Sequence, residues 1–206
     1  MSMQKQVHPL AGKPALSALL SVCGLLLSAG PAWATTYAID ADHTTVGFKI
    51  RHLFSKVSGT FDRVEGSFDY VPGHPEQWKA AATIQAASIN TRVAERDKHL
   101  RSKDFFETEI HPTIVFTGTG VTEATAAGAT LNGVLTIRGV QQPVSLNLEF
   151  HGEAKDPWGN QRSGWTATTT INRKDFGLTW NQAVETGQLL VGEEVEITLE
   201  VEGIVK

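Results

Sequence analysis

Glu194-Val195-Glu196-Ile197-Thr198-Leu199-Glu200-Val201 alternates polar and apolar side chains without a slip. Successive side chains of a strand point to opposite faces, so this period of two describes a strand that is wet on one side and buried on the other. The pattern recurs in Val46, Phe48, Ile50 against Thr45, Gly47, Lys49, and in Val144, Leu146, Leu148, Phe150 against Ser145, Asn147, Glu149. Leu131, Gly133, Leu135, Ile137 and Trp165, Ala167, Thr169, Ile171 repeat it, with weaker candidates over 57–61, 64–70, 81–89 and 114–121. That makes about eight or nine strands.

Turn signals fall between them, at Pro72-Gly73, Asn132-Gly133 and Asp156-Pro157-Trp158-Gly159-Asn160, and no repeat or linker divides the chain. The reading is one all-β antiparallel domain. So many strands in one sheet must have their edges paired or covered, and closure into a barrel does this; a two-sheet sandwich is the alternative. A barrel of about eight strands is either filled by its own side chains or holds one small ligand. Gly118, Gly133 and Ala167 on the inward phase suggest spare room, although a tightly packed core also uses small residues. Phe48, Ile50, Phe116, Leu135, Ile137, Leu146, Leu148, Trp165 and Ile171 are expected to face inward, because each lies on the apolar phase of its strand.

One segment breaks the pattern. Residues 96–106, Arg-Asp-Lys-His-Leu-Arg-Ser-Lys-Asp-Phe-Phe, are charged and helix-prone, and His111-Pro112 marks the return to strand. Arg92, Arg96, His99 and Lys103 recur at helical spacing and are expected to share one face, where a basic surface could receive a phosphate. Glu95 and Asp97 compete for those cations. Two inward strand phases also end in polar residues, His52 after Ile50 and Arg173 after Ile171, and both are expected at the cavity rim with Asp175 as a partner for Arg173.

The first 34 residues read as an export signal rather than as fold. Lys5 and Lys13 precede an apolar run over 16–27, and Ala32-Trp33-Ala34 is a small-x-small cleavage site, so the mature chain is expected to start near Thr35 in the periplasm or outside the cell. The apolar run is short for a membrane span. Val22 stands where a lipidation signal before Cys23 wants a small residue, so Cys23, the sole cysteine, is expected to leave with the signal. Cleavage would remove disulfides, thiol nucleophiles and thiolate metal sites from the 172 remaining residues. Loss of Lys5 and Lys13 would leave 16 basic against 22 acidic side chains, a net charge of −6 that lacks the basic footprint of a nucleic-acid binder.

Catalytic fingerprints are missing: there is no Gly-x-Ser-x-Gly, no His-Glu-x-x-His and no phosphate-cradling or dinucleotide loop. Asp175-Phe176-Gly177 matches a kinase triplet without the rest of a kinase around it. Asp40, His43, His52 and His99 could supply oxygen and nitrogen ligands, but at no diagnostic metal spacing. No catalytic residue, metal or cofactor is therefore assigned.

In order along the chain stand Asp40-x-x-His43, Phe48-x-Ile50-x-His52, Gly59-x-Phe61, Ser88-Ile89-x-Thr91, Arg96-Asp97-x-His99-Leu100-x-Ser102-x-Asp104-Phe105-Phe106, Pro112-x-Ile114-x-Phe116, Gly133-x-Leu135-Thr136-Ile137-x-Gly139-Val140 and Arg173-x-Asp175-Phe176-Gly177. This succession, from about Tyr37 to Ile204, resembles the YceI-like family, with Thr44 in place of the usual serine. The resemblance implies a lipocalin-like, extended antiparallel β-barrel that binds polyisoprenoid or similar long-chain amphipathic lipids, in many members in the periplasm. It transfers no catalytic residues.

The expected function is thus a binding protein that sequesters or carries a polyisoprenoid, a quinone or a polyprenyl phosphate. His52, Arg92, Arg96, His99 and Arg173 are the head-group candidates at a polar mouth. An isomerase or redox accessory using His43, His52 and Arg173 is the enzyme alternative, and a filled-barrel interaction module is a third. Transient membrane contact for lipid exchange is expected; monomer and homodimer both remain open.

Overall fold

The computed structural model describes Met1, residues 34–185 and residues 187–206. The export reading of residues 1–34 therefore lies outside the described residues except at Met1 and Ala34. Eleven strands follow: β1 (Thr35–Ile39), β2 (Thr45–His52), β3 (Ser55–Phe61), β4 (Val64–Tyr70), β5 (Lys79–Gln85), β6 (Ile89–Asn90), β7 (Thr113–Thr122), β8 (Gly128–Ile137), β9 (Val140–Lys155), β10 (Gln161–Asn172) and β11 (Val191–Val205). One α-helix, α1 (Ala94–Arg101), lies between β6 and β7.

Eight of the strands pair antiparallel in the order β1-β4-β5-β7-β8-β9-β10-β11, and β11 returns to β1. The sheet is therefore a closed barrel and not a sandwich. The long β11 makes the closure double. Its last residues, 203–205, pair with β1, while Val191–Glu200 pair with β2, from which β3 and β6 extend. Sequence periodicity did not register β1, because Thr35–Ile39 is too short to show an alternation. It also read 81–89 as one strand, where a single 3-10 turn at Ala86–Ser88 separates β5 from β6.

Register carries the apolar phase across the strands. Val46, Phe48 and Ile50 stand opposite Leu199, Ile197 and Val195, which in turn stand opposite Ala167, Thr169 and Ile171. A slip of one residue would turn every one of these side chains to water, so burial fixes the pairing. Gly118 and Gly133 do not leave room for a ligand, contrary to the sequence reading. A Cβ on Gly133 would lie 2.4 Å from Phe116 Cζ, and one on Gly118 would lie 3.2 Å from Leu131 Cδ1. These glycines admit neighbouring side chains.

The antiparallel registers sort the connections into two ends. The 53–54 turn, the 86–112 segment carrying α1, the 138–139 turn and the 173–190 segment lie at one end, here the mouth. The 71–78, 123–127 and 156–160 connections lie at the other.

Candidate functional site

A cavity of about 390 Å³ runs inside the barrel beneath α1. Phe48, Ile50, Phe116, Leu135, Ile137, Leu146 and Ile171 line it, each on the inward phase of its strand. Leu148 and Trp165 line a second cavity of about 120 Å³ instead. The two share Ile39, Phe116, Leu146 and Leu199 as walls, so they adjoin along the barrel. Their walls are overwhelmingly apolar. Of the nine inward residues, five line the large cavity alone, Phe116 and Leu146 line both, and Leu148 and Trp165 line the small one alone.

At the far end the second cavity stops against interlocked aromatic rings. Trp165 packs on Phe150, Tyr70 and Trp78 at centroid distances of 4.6, 5.2 and 5.6 Å, and Tyr37 stacks on Phe68 at 5.1 Å. Three of their polar tips are engaged. Trp165 Nε1 donates to Ser163 Oγ (2.8 Å), Trp78 Nε1 to the Val71 carbonyl (2.7 Å), and the Tyr37 hydroxyl to Glu153. Burial raises the hydroxyl pKa of both Tyr37 and Tyr70 above the ordinary tyrosine value, and the Glu153 charge adds to the effect.

At the mouth, α1 is too short to be stable alone. Its residues are tied down from outside the helix. The buried Asp97 carboxylate accepts from the Thr91 amide (2.8 Å) and hydroxyl (2.5 Å), which clamps the entry to the helix. Arg96 donates from Nε to the Thr91 hydroxyl (2.7 Å) and from Nη2 to the Thr91 carbonyl (2.9 Å). Arg101 reaches back to the carbonyls of Ala87 and Ile89. Leu100, Phe105 and Phe106 then turn into the barrel and line the large cavity.

This architecture corrects the expected basic face. Arg92 precedes α1 in a left-handed conformation (φ 65°), is exposed, and is not part of the cavity wall; Lys103 follows the helix. Neither can share a helical face with Arg96 and His99. Those two do line the cavity, as does Glu95, but both are engaged: Arg96 with Thr91, and His99 through Nε2 with Asp104 Oδ2 at 3.0 Å. The His99 ring also stands edge-on to Phe105 and Trp180, at centroid distances of 5.1 and 4.8 Å. Trp180 is a wall residue that no periodicity pointed to, because it lies in an irregular segment.

His52 lines the large cavity at the end of β2. Arg173 lines it too, but not as an exposed rim residue paired with Asp175. It sits in a 3-10 turn just after β10 and is 2% exposed. Its partners are backbone carbonyls: Nε donates to Gly192 (2.8 Å), and Nη1 donates to Trp180 (2.9 Å) and to Leu178. Burial lowers its pKa from the usual arginine value, though a guanidinium stays protonated at any physiological pH. Asp175 instead accepts from Gln142 through its carbonyl.

Asp40 and His43, weighed as metal ligands, meet each other at 2.9 Å and come together with Glu202, without His52 or His99. Arg162 already pairs with Asp40 (2.6 Å), Asp156 (2.9 Å) and Glu202 (2.5 Å). The Arg162 hydrogen bond holds the Asp40 carboxyl below its usual pKa of 3.8, with His43 adding to it. The cluster carries its own cation and reads as a polar strap.

Comparison with known proteins agrees with this barrel. A family model described as the YceI-like domain matches residues 37–203. A UPF0312 protein of Ectopseudomonas mendocina is 42% identical over 195 residues, 93% of this chain and 98% of the relative. Among solved structures, a YceI protein of Campylobacter jejuni is 32% identical with a TM-score of 0.65, covering 81% of this chain and 96% of that one. A polyisoprenoid-binding domain from Saccharophagus degradans, 16% identical, shares the fold at a TM-score of 0.62 over 84% of this chain and 99% of its own.

Proposed function

The chain belongs to the YceI-like family, and on that premise we propose that it is a binding protein which holds a long-chain lipid of the polyisoprenoid type inside the barrel. The observation that carries this reading is the pair of adjoining apolar cavities, lined by aromatic rings at one end and bordered by polar side chains at the other. A chain lipid needs that shape. Its tail gains about 0.8 kcal/mol for each carbon removed from water, and ordering a flexible chain offsets much of that gain. The polyisoprenoid ligand named for the Saccharophagus degradans domain supports the same ligand class here.

Carriage fits the residues better than catalysis. His43, assigned to the enzyme alternative, is bonded to Asp40 in the Arg162 cluster, and Arg173 gives its Nε and Nη1 to backbone carbonyls. Neither has the nucleophile-and-base arrangement that a reaction would use. Exchange with a membrane is part of the proposal, since Phe54 (86% exposed), Ile110 and Leu189 stand out on the connections at the mouth. Residence in the periplasm follows from the signal reading of residues 1–34. Intact mass of protein taken from that compartment should match a chain beginning near Thr35; retention of residues 1–34 would contradict it.

Native mass spectrometry of protein purified from its own cells, followed by solvent extraction, tests the function. The expected result is one unchanged chain lipid per barrel. Turnover of an added isoprenoid would favour the enzyme reading, and no retained lipid would favour a filled interaction module.

A further inference from the structure

Large apolar side chains left in water are unevenly placed on the barrel. Of the seven exposed among the described residues besides Met1, four stand at the mouth: Phe54, Ile110, Val140 and Leu189. A fifth, Val93, caps the start of α1, and only Trp158 and Val205 lie toward the other end. None of the four at the mouth lines either cavity or belongs to a hydrophobic cluster, so they serve neither the core nor the ligand. Single exposed apolar residues are ordinary; their concentration at one end marks a contact surface. The rim that carries them is laced together. The Leu53 amide donates to the Leu190 carbonyl (3.0 Å), which brings the turn carrying Phe54 against the segment carrying Leu189. His111 lies against Gly139, where an added Cβ would stand 3.2 Å from the ring, so the stretches carrying Ile110 and Val140 also meet. Arg138 ties three connections together, donating to the carbonyls of Lys103 and Gly177 and to Glu107 Oε2, each at 3.1 Å. Tips already ordered in this way lose little further freedom on contact.

Charge separates the two ends as well. The mouth connections hold eight Lys and Arg against seven Asp and Glu, whereas the far-end connections hold Glu76, Glu123 and Asp156 and no Lys or Arg. With the mouth set aside, residues 35–206 carry eight basic against fifteen acidic side chains. A negative surface therefore repels the walls and the far end, and meets least resistance at the mouth. The ion pairs there are His99–Asp104, Arg138–Glu107 and Lys174–Glu193, which leaves the exposed Lys98 and Lys103 unpaired among the described residues. We propose, resting on the lipid-binding reading, that the protein docks mouth-down on a bilayer containing anionic lipid. Phe54, Leu189, Ile110 and Val140 enter the boundary between head groups and acyl chains, and Lys98 and Lys103 meet lipid phosphates. Apolar tips set among lysines suit that boundary, whereas the core of an interface with another protein is depleted of lysine. A lipid tail that passes between bilayer and mouth in this orientation stays out of water.

The test is flotation of purified protein with vesicles of equal parts phosphatidylcholine and phosphatidylglycerol, and with vesicles of phosphatidylcholine alone. Wild type should bind the mixed vesicles about tenfold more tightly than phosphatidylcholine alone, and the difference should vanish at high salt. Phe54→Ser combined with Leu189→Ser, and separately Lys98→Gln combined with Lys103→Gln, should each weaken binding to mixed vesicles roughly tenfold. Trp158→Ser at the far end should leave it unchanged. Because none of these side chains lines a cavity, every variant should keep its co-purified lipid and its urea midpoint. Wild type that retains its lipid but floats with neither vesicle would overturn the docking and leave the lipid-holding reading intact. Flotation in the expected pattern by a barrel that never carries lipid would support the docking and overturn that reading instead. Equal binding to both vesicles, or loss of binding in Trp158→Ser in place of the mouth variants, would contradict the mouth-down contact. So would a dimer in solution that Phe54→Ser with Leu189→Ser dissolves, since a second copy would then cover the rim.

Discussion

The two ends of the barrel are built from similar apolar strands and finish differently. At the aromatic end, the buried polar tips of Tyr37, Trp78 and Trp165 all meet partners within the protein. At the mouth, Arg173 is as deeply buried as Trp165, and its Nη2 is buried without a partner in the protein. The aromatic end is packed ring against ring, and those contacts serve stability. The mouth leaves part of its hydrogen-bonding capacity unused. Backbone geometry follows the same division, since among the described residues four of the five non-glycine residues with positive φ, Leu53, Arg92, Glu107 and Arg138, lie on mouth connections.

The comparison breaks most sharply at Leu148, which packs against both hydrophobic clusters. Leu148→Lys would bury an unpaired charge, and expression trials should yield no folded protein or a barrel that retains no lipid. Trp165→Ala should lower unfolding free energy by about 3–5 kcal/mol in urea titrations, the range for deleting a large buried aromatic. Ile50→Ala at the half-buried mouth wall should lower it by only about 1 kcal/mol, because the side chain already borders a cavity, while weakening lipid retention more than stability. If the two truncations were equally destabilising, the division of labour between the ends would not hold.

A second sharpening uses pH at the aromatic end. The Asp40 carboxyl is held below its ordinary value by Arg162, so its contribution is present above about pH 4 and disappears as pH falls through the lowered folded value. Tyr37 and Tyr70 are raised by burial, so their contribution is present below pH 10 and is lost as pH rises past it. Urea midpoints measured from pH 2.5 to 11 should therefore fall at both extremes. Arg162→Met should flatten the acid side and leave the alkaline side in place.

Smaller effects are expected around α1. Arg96→Ala removes two bonds to Thr91 and should cost about 1 kcal/mol in stability, with equal losses of affinity for phosphorylated and neutral chains. Arg92→Ala should change stability by less than about 0.5 kcal/mol and leave lipid binding untouched, since the side chain is exposed and outside the cavity wall. A loss of phosphate binding in Arg92→Ala would restore the basic-face idea that the helix boundary removed.

The barrel was legible in the chain because period two is local: Val195 to Val201 and Leu131 to Ile137 each announce a buried face without reference to any other segment. All nine inward assignments rest on that signal, and the structure places each on a cavity wall. The mouth was harder. Arg92 matched a helical spacing only while the helix was assumed to reach it, and the Thr91–Asp97 clamp starts α1 two residues later. Arg173 was found by phase, but its partners come from residues 178, 180 and 192 in an irregular segment, where no periodicity reports who meets whom. Gly133 shows the reverse error, since a small residue on an inward phase signalled space that Phe116 fills.

If the barrel holds a lipid as proposed, both cavities together form one tunnel with the lipid head at the mouth. A crystal structure of protein carrying its co-purified lipid measures this directly. Continuous density should run from beneath α1 past Phe116 and Leu146 toward Trp165. Side chains collapsed into both cavities, or a ligand seated with its head against the Tyr70 and Trp165 rings, would contradict it.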